Sequence, residues 1–132
     1  MPSPAVQDYS ILITDDDAGV RETLRDIFVP HGYRTYLAES GEEAIDIVST
    51  HHVHIALLDM HLPRLSGLET LAVFRQMRGA LPAILISGAC DENLMRRALS
   101  EHAFCVLEKP VSRHVVVHVV HRVIQKFYQQ VS

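Results

Sequence analysis

Short apolar runs alternate with segments of helical spacing along the chain. Runs of four to six residues rich in Val, Ile and Leu predict β-strands at 9–14, 33–38, 54–58, 83–86 and 104–107. After each run, apolar residues recur every three or four positions, which predicts helices at 18–29, from Ser40, at 67–78, at 91–101 and from Ser112. Strands that are apolar throughout indicate a parallel sheet covered by helices on both faces. The pattern therefore predicts an α/β fold of the (βα)5 type.

Composition agrees with an ordinary globular chain. Of its 132 residues, 48% are apolar and 21% are charged, and no stretch of Gly, Ser or Pro divides the sequence in two. This length is typical of one compact domain with a core of its own. We therefore expect one domain over residues 1–132.

Charge and hydropathy argue against two classes of partner. The formal charge is −4, with 16 acidic against 12 basic residues and no block of Lys or Arg, which disfavours direct nucleic acid binding. No apolar run approaches the roughly 20 residues that span a bilayer, so no membrane helix is expected. The first eight residues lack the positive and apolar regions of a secretion signal, which predicts a cytoplasmic location.

Polar side chains follow four of the five predicted strands. Carboxylates at 15–17 come after the first strand, Asp59 comes after the third, Ser87 after the fourth and Lys109 after the fifth. The carboxyl ends of parallel strands form one edge of a sheet, where such folds bind ligands, so we expect these residues to meet. Crowded carboxylates repel one another unless a cation lies among them. Because the candidate ligands are all oxygen, the expected ion is Mg²⁺, for which Mn²⁺ can substitute.

The same residues suit phosphoryl transfer. A carboxylate beside Mg²⁺ can attack a phosphorus atom, because the metal and the Lys109 ammonium group neutralise charge on the phosphoryl oxygens. The Ser87 hydroxyl can add a hydrogen bond. The alternative is that the carboxylates at 15–17 only form a solvated cap of the first helix. The matching residues at three other strand ends make that alternative the weaker one.

Four sequence motifs together resemble the receiver domain of two-component response regulators, over a core of about residues 10–127. Ile-Leu-Ile-Thr-Asp-Asp-Asp at 11–17 is similar to the first strand and acidic pocket of that family. Leu-Asp-Met-His-Leu-Pro at 58–63, followed by Gly67, is similar to its phosphorylation loop. Ile-Leu-Ile-Ser-Gly-Ala at 84–89 and Leu-Glu-Lys-Pro at 107–110 are similar to the segments with its hydroxyl and its lysine.

The resemblance implies a fold, a cofactor and a partner. The fold would be flavodoxin-like, a doubly wound sheet of five parallel strands in the order 2-1-3-4-5. Asp16, Asp59 and the backbone carbonyl of His61 would bind Mg²⁺ directly, and Asp15 would bind it through a water molecule. Asp59 would accept a phosphoryl group from the phosphohistidine of a histidine kinase or phosphotransfer protein. The product would later hydrolyse, and until then it would be held by Lys109, Ser87 and the backbone amides of Met60 and Gly88.

One position departs from the pattern of this family. The family usually has Tyr or Phe three residues before the lysine, a ring that turns inward when the hydroxyl moves toward the phosphoryl group. Here the residue is Val106, and Phe104, which strand alternation places on the same face, is the nearest substitute. We therefore expect phosphorylation to alter the output surface less than it does in receivers with an aromatic residue at this position.

The last predicted helix has a wide apolar surface. A core-facing stripe is expected to contain Val116, Val120, Val123 and Phe127. Val117 and Ile124 lie at its margin, which makes them candidates for a protein contact. In the resembled family, the surface of the fourth helix, fifth strand and fifth helix usually forms a homodimer or meets an effector.

Histidines outside these motifs are interpreted mainly as surface residues. His61 is either a solvent-facing loop residue or one that tunes dephosphorylation and metal access. The histidines of the last helix form a solvated face, with metal binding as the less favoured alternative: His114, His118 and His121. Those before the third strand are expected at the surface: His51, His52 and His54.

Three functions remain in competition. The favoured one is a phosphoacceptor switch that catalyses only its own phosphorylation and dephosphorylation, and so is not an enzyme in the usual sense. A haloacid-dehalogenase-type phosphatase also uses an aspartate nucleophile and Mg²⁺, but it needs a second aspartate where this chain has His61. A docking module with the same fold that no longer takes phosphate is the third, although the intact acidic, hydroxyl and lysine positions speak against it.

Overall fold

The computed structural model describes residues 9–129, in which five strands alternate with five α-helices. The strands are β1 Ser10–Thr14, β2 Arg34–Ala38, β3 Ile55–Asp59, β4 Ala83–Ser87 and β5 Cys105–Glu108. The helices are α1 Ala18–Phe28, α2 Gly41–Thr50, α3 Gly67–Met77, α4 Glu92–Ser100 and α5 Arg113–Tyr128, with a 3-10 turn, Val29–His31, after α1. The predicted (βα)5 pattern is confirmed, with ends that differ by one or two residues. Residues 1–8 and 130–132, which the expected domain includes, lie outside the described residues.

All five strands are parallel and lie in the order β2-β1-β3-β4-β5. This is the predicted doubly wound, flavodoxin-like sheet. The register pairs Thr14 with Leu58, Asp59 with Ile86, and Ser87 with Glu108. The last residues of neighbouring strands among β1, β3, β4 and β5 therefore lie within one residue of each other in register, which brings the polar residues at these ends to one edge.

Two apolar clusters cover the two faces of the sheet. One cluster lies under α2, α3 and α4 and includes Leu58, Leu71 and Phe74. The other lies under α1 and α5 and includes Ile13, Phe28 and other buried residues. Every residue of β1, β3 and β4 is buried, because each of these strands has neighbours on both sides and helices on both faces. This explains why their sequences are apolar throughout rather than alternating.

Hydroxyl and carboxylate side chains fix where the helices begin. Ser40 accepts a hydrogen bond from the backbone nitrogen of Glu43 at 3.1 Å, and Ser112 accepts one from that of Val115 at 3.4 Å. The helices predicted to begin at Ser40 and Ser112 are thus capped by these two side chains. Such a cap typically stabilises a helix by about 1 kcal/mol, since it satisfies an amide that has no partner within the helix.

The burial of α5 differs from the prediction at two positions. Three of the four stripe residues are fully buried, as expected: Val116, Val120 and Val123. Phe127 is 43% exposed, because it lies near the end of α5, where its ring packs on that of Phe104 just before β5. Ile124 is only 1% exposed, so its assignment to a protein contact is wrong. Val117 is half-buried, and its role in a contact stays a prediction.

His54 is wrongly predicted as a surface residue. Its Nδ1 accepts a hydrogen bond from the backbone nitrogen of Ser10 at 3.0 Å, and its carbonyl accepts one from the Tyr128 hydroxyl at 2.5 Å. Its ring packs edge-on against the rings of Tyr9, His52 and Tyr128. These five residues form a cluster at the amino ends of β1 and β3, which we call the amino-edge cluster. His51 and His52 are exposed, as expected.

Burial lowers the pKa of His54, and the positive charges of His52 and Arg78 lower it further. Because Nδ1 accepts a hydrogen bond, the proton of the neutral ring is on Nε2. The amino-edge cluster therefore depends on a neutral imidazole.

Arg75 ties the end of α3 to the end of α4. Its guanidinium donates to the carbonyls of Gly79 and Leu81 in the loop before β4. It also donates to the carbonyls of Glu101 and His102, which follow α4, at 3.2 and 3.0 Å. Burial lowers the pKa of Arg75, but an arginine keeps its charge at any ordinary pH. One side chain thus binds two carbonyls that follow α4 and two in the loop before β4, and so holds the carboxyl end of α4 to that loop.

Within residues 9–129, the helices are too short or too polar for any of them to cross a bilayer. The cytoplasmic location stays a prediction.

Candidate phosphoryl-transfer site

Three carboxylates converge at the carboxyl edge of the sheet. Asp15 follows β1 directly and is 2% exposed, and Asp59 ends β3 and is 4% exposed, whereas Asp16 is open to solvent. One oxygen from each carboxylate lies within 4.8 Å of the other two. The structure thus brings together the residues that the sequence placed after separate strands. The third carboxylate of the sequence, Asp17, caps α1 instead and accepts from the backbone nitrogen of Val20.

Lys109 reaches both buried carboxylates. Its Nζ lies 2.9 Å from Asp15 Oδ2 and 3.3 Å from Asp59 Oδ2. Its backbone nitrogen donates to the carbonyl of Ser87 at 2.8 Å, and the peptide bond to Pro110 is cis. The ammonium group is therefore held between the two aspartates from the end of the edge strand β5.

Local hydrogen bonds orient the carboxylates. Asp15 Oδ1 accepts from the backbone nitrogen of Asp17 at 2.9 Å, and the Asp15 carbonyl accepts from Arg21 Nη1 at 2.6 Å. Asp59 Oδ1 accepts from the backbone nitrogen of His61 at 3.1 Å. Each buried aspartate is thus held on one oxygen by its own loop and on the other by Lys109.

The electrostatics of the site favour an added cation. Burial raises the pKa of Asp59; the His61 amide opposes this, nearby Asp15 adds to it, and Lys109 opposes it. Burial lowers the pKa of Lys109, but hydrogen bonding and attraction to Asp15 and Asp59 outweigh burial and leave it raised. Three carboxylates face one ammonium group, an excess of two negative charges. Oxygen donors at this spacing, one of them open to solvent, fit a hard divalent ion such as Mg²⁺.

Ser87 lies at the same edge but its hydroxyl is engaged. Its side chain is fully buried, and Oγ donates to the Ala89 carbonyl at 3.0 Å and accepts from the Ala89 nitrogen at 3.2 Å. The exposed ring of His61 places Nε2 3.5 Å from the same Oγ. The hydroxyl must therefore leave Ala89 to reach a group bound at Asp59.

The predicted role of the Met60 amide is wrong. The backbone nitrogen of Met60 donates to the carbonyl of Ile86 at 2.8 Å, so it belongs to the sheet. The amide that faces the Asp59 carboxylate is that of His61. The register explains this: Asp59 pairs with Ile86 in parallel β-structure, which directs the next amide to that carbonyl. The Gly88 amide stays a prediction, and a Cβ built on Gly88 would meet open space, so its backbone is approachable.

Gly67 accounts for part of the phosphorylation-loop motif. A Cβ at this position would lie 2.3 Å from the backbone oxygen of Asp59 and 2.8 Å from Cα of Met60. A larger residue would push the start of α3 away from the end of β3. The close approach of α3 to Asp59 therefore requires glycine.

Val106 and Phe104 lie on opposite faces of the sheet. Val106 packs with the cluster under α4, on the face to which strand alternation also assigns Leu85 and Ser87. Phe104 packs with the cluster under α1 and α5, next to Phe127. It precedes β5 by one residue, so the alternation of the strand does not govern it. The expectation that Phe104 substitutes for the missing ring is wrong.

A family model for the response regulator receiver domain matches residues 11–121. Among curated relatives, the response regulator MprA of Mycobacterium tuberculosis is 41% identical over 103 residues, which cover 76% of this chain and 44% of that protein. Response regulator RR06 of Streptococcus pneumoniae is 28% identical over 119 residues, covering 90% of this chain and 54% of that protein. The chain spans about half the length of the curated relatives it matches.

Solved structures show the same fold. A CheY-like receiver domain protein from Methanospirillum hungatei has a TM-score of 0.89 at 22% identity and covers 93% of this chain and 98% of that one. A chain of the CheX–CheY–BeF3–Mg²⁺ complex from Borrelia burgdorferi has a TM-score of 0.84 at 28% identity, covering 88% and 89%. With these matches and the family model over residues 11–121, the chain belongs to the response regulator receiver domain family.

Proposed function

We propose that this chain is a phosphoacceptor switch in which Asp59 receives a phosphoryl group from a phosphohistidine of a histidine kinase or phosphotransfer protein. The observation that carries the proposal is the position of Lys109, whose Nζ lies 2.9 and 3.3 Å from two buried carboxylates at the ligand-binding edge of the sheet. A structural ion pair would need only one of those carboxylates. A second buried carboxylate, with a third nearby, suits a site that binds a cation and an anionic group together.

Each residue has a distinct task. Asp15, Asp16 and Asp59 would hold Mg²⁺, together with the backbone carbonyl of His61. When bound, Mg²⁺ would neutralise charge on the phosphoryl oxygens. A carboxylate oxygen of Asp59 attacks the phosphorus atom, and the phosphorus–nitrogen bond of the donor breaks as the new phosphorus–oxygen bond forms. A similar chain occurs in a complex with BeF3 and Mg²⁺, which supports this assignment.

Lys109, Ser87 and two amides hold the product. Lys109 already lies near Asp59, and the amide of His61 donates to the same carboxylate. The Gly88 amide would join them once the phosphoryl group is bound. Water then hydrolyses the phosphoryl-aspartate and resets the switch. The His61 ring lies 3.5 Å from Ser87 Oγ, at the border of the site, so its size is expected to affect the rate of this step.

The chemical test is mass spectrometry after incubation with acetyl phosphate and Mg²⁺. The wild-type protein should gain the mass of one phosphoryl group, mapped to Asp59, and Asp59→Asn should gain none. Asp46→Asn, at an exposed position of α2, is the matched control and should react normally. Phosphorylation of Asp59→Asn at the wild-type rate would show that the acceptor is misassigned. A docking module would give no mass change in the wild type, and a phosphatase would consume donor over many turnovers.

We further propose that the switch acts through the surface of α4, β5 and α5, by forming a homodimer or binding an effector. Met95, Leu99 and Val115 are apolar and at least 39% exposed, which supports a contact there. Val106 lies on the α4 side of β5 and has one stiff torsion, so little of a Ser87 movement should pass through it.

Hydrogen exchange with and without a beryllofluoride phosphoryl mimic tests this coupling. We expect small changes across α4 and β5 in the wild type and larger ones in Val106→Tyr. Phe104→Leu is the control, because Phe104 packs on the other face and should not alter the response. Large wild-type changes that the tyrosine does not increase would point to a route through the backbone.

A further inference from the structure

A groove between α5 and the turn after α1 is lined by four histidines. His114, His118 and His121 come from α5, and His31 comes from the 3-10 turn that follows α1. All four are exposed. None of the groove residues belongs to the phosphoryl-transfer site, so these imidazoles have no part in the function proposed above. We call this feature the histidine groove.

The spacing of the α5 histidines suits chelation of one ion. Residues three or four apart on a helix lie on the same face, with Cβ atoms about 5–6 Å apart. His118 follows His114 by four residues and precedes His121 by three, so it lies within one turn of both. His31 adds an imidazole from a separate element on the other side of the groove. His118 is therefore the residue best placed to share an ion with any of the others.

The donor atoms select a class of metal. Neutral imidazole nitrogen binds Zn²⁺, Cu²⁺ and Ni²⁺ well, whereas Mg²⁺ and Ca²⁺ prefer oxygen. The sequence of α5 contains no Asp or Glu, so this helix offers a hard cation no carboxylate. The histidine groove and the carboxylate site are thus chemically complementary, and the two should not compete for the same ion.

We propose that the histidine groove is a second metal site, in which His118, one of its two α5 neighbours and His31 bind one Zn²⁺ ion. Within residues 9–129, three ligand atoms that all lie within 4.8 Å of one another are found in Asp15, Asp16 and Asp59. The histidine nitrogens of the groove offer no such group of three. The imidazoles must therefore rotate to share an ion. Exposed side chains change rotamer within picoseconds to nanoseconds, so this rotation is no obstacle. The bound ion joins α5 to the end of α1.

Arg113 offers a variant in which Zn²⁺ binding should become tighter instead of weaker. It lines the same groove, and its positive charge opposes an added dication. Arg113→Gln should therefore bind Zn²⁺ more tightly than the wild type, whereas removal of a ligand should weaken binding.

The experiment is calorimetric titration of tag-free protein with Zn²⁺ in saturating Mg²⁺, which keeps the carboxylate site occupied. We expect one Zn²⁺ per chain, and His118→Gln should weaken binding by at least about tenfold, the lower bound for even an indirect metal partner. His52→Gln, in the other histidine-rich segment, is the control and should bind as the wild type does. His114→Gln and His121→Gln identify which neighbour is the third ligand.

Imidazole NMR signals locate the ion independently of affinity. Those of His118 and His31 should shift on addition of Zn²⁺, while those of His51 and His52 should not. Unchanged affinity in His118→Gln, or no saturable binding, would overturn the proposal. One ion per two chains, with dimers in sedimentation, would also overturn it, because the site would then lie between copies. Phosphorylation of Asp59 is measured separately, so either proposal can fail alone.

Discussion

At the carboxyl edge of the sheet, Asp15 and Asp59 are buried charges that share Lys109, whereas the buried groups of the amino-edge cluster are neutral and paired. The carboxyl edge also contains Thr14 Oγ1, the buried side-chain oxygen that has no hydrogen-bond partner among the described residues. Both edges are built from the ends of the same strands, β1 and β3. The difference therefore comes from the side chains and not from the fold.

The two edges are expected to differ in how their stability depends on a bound cation. Excess negative charge at the carboxyl edge costs folding free energy, so we expect a bound cation to raise the stability of the fold. The amino-edge cluster gains its stability from contacts that are already complete. We expect the first edge to respond to ions, and the second to respond to the loss of single hydrogen bonds.

Removal of the metal should have the largest effect and should act on the carboxyl edge alone. Mg²⁺ at 100 times its dissociation constant is expected to add about 2.7 kcal/mol to the free energy of unfolding, since it binds only the folded state. Asp16→Ala should erase most of this gain, and Asp26→Asn, an exposed carboxylate on α1, should leave it intact. Thermal melts with Mg²⁺ or EDTA measure the effect. An unchanged response in Asp16→Ala would place the metal elsewhere.

Neutralising Asp59 should stabilise the carboxyl edge when no metal is bound. Its raised pKa means that the charged form is disfavoured in the folded state, so Asp59→Asn should melt at a higher temperature than the wild type in EDTA at pH 7. The difference should shrink as the pH falls through the raised pKa, because the wild-type carboxyl group then also becomes neutral. Lower stability of the variant at pH 7 would show that attraction to Lys109 outweighs burial.

Tyr128→Phe tests the amino edge. It removes the hydrogen bond from the Tyr128 hydroxyl to the His54 carbonyl and should cost about 1 kcal/mol of unfolding free energy. The loss should be the same with Mg²⁺ or EDTA, as urea denaturation can show. A loss that depends on Mg²⁺ would mean that the two edges are energetically coupled and do not act independently.

The smallest expected effect is the pH response of His54. Its lowered pKa means that the unfolded chain takes up a proton first, so stability should fall as the pH drops below the ordinary histidine value of about 6.5. Once the pH is below the pKa of His54 in the folded protein, the stability falls no further on account of this residue. His54→Asn keeps an acceptor for the Ser10 amide and should flatten this slope between pH 7.5 and 5.5, while His52→Asn should not. Equal slopes in wild type and His54→Asn would remove His54 from the acid response.

The carboxyl edge could be predicted from sequence, and the amino edge could not, for a physical reason. In a parallel sheet the residue after each strand reaches the same edge, so the positions of Asp15, Asp59 and Lys109 at the ends of predicted strands were enough to place them together. His54 is held by partners 44 and 74 residues away, and no local pattern indicates them. The Met60 amide was misassigned because its role depends on strand register, which the apolar pattern does not specify.

Arg75 holds one end of α4 in place and leaves the other end without this restraint. Because the guanidinium holds the two carbonyls that follow this helix, we expect a shift of the loop between Ser87 and Asp91 to tilt the helix about its carboxyl end rather than to slide it. With nine residues and about 1.5 Å of rise per residue, a shift of about 1 Å at the start corresponds to a tilt of roughly 4°. Met95 would then travel farther than Leu99, which lies close to the pivot. In the proposed switch, the exposed surface of α4 would thus change by a rotation, with displacements that decrease from the start of the helix to its end.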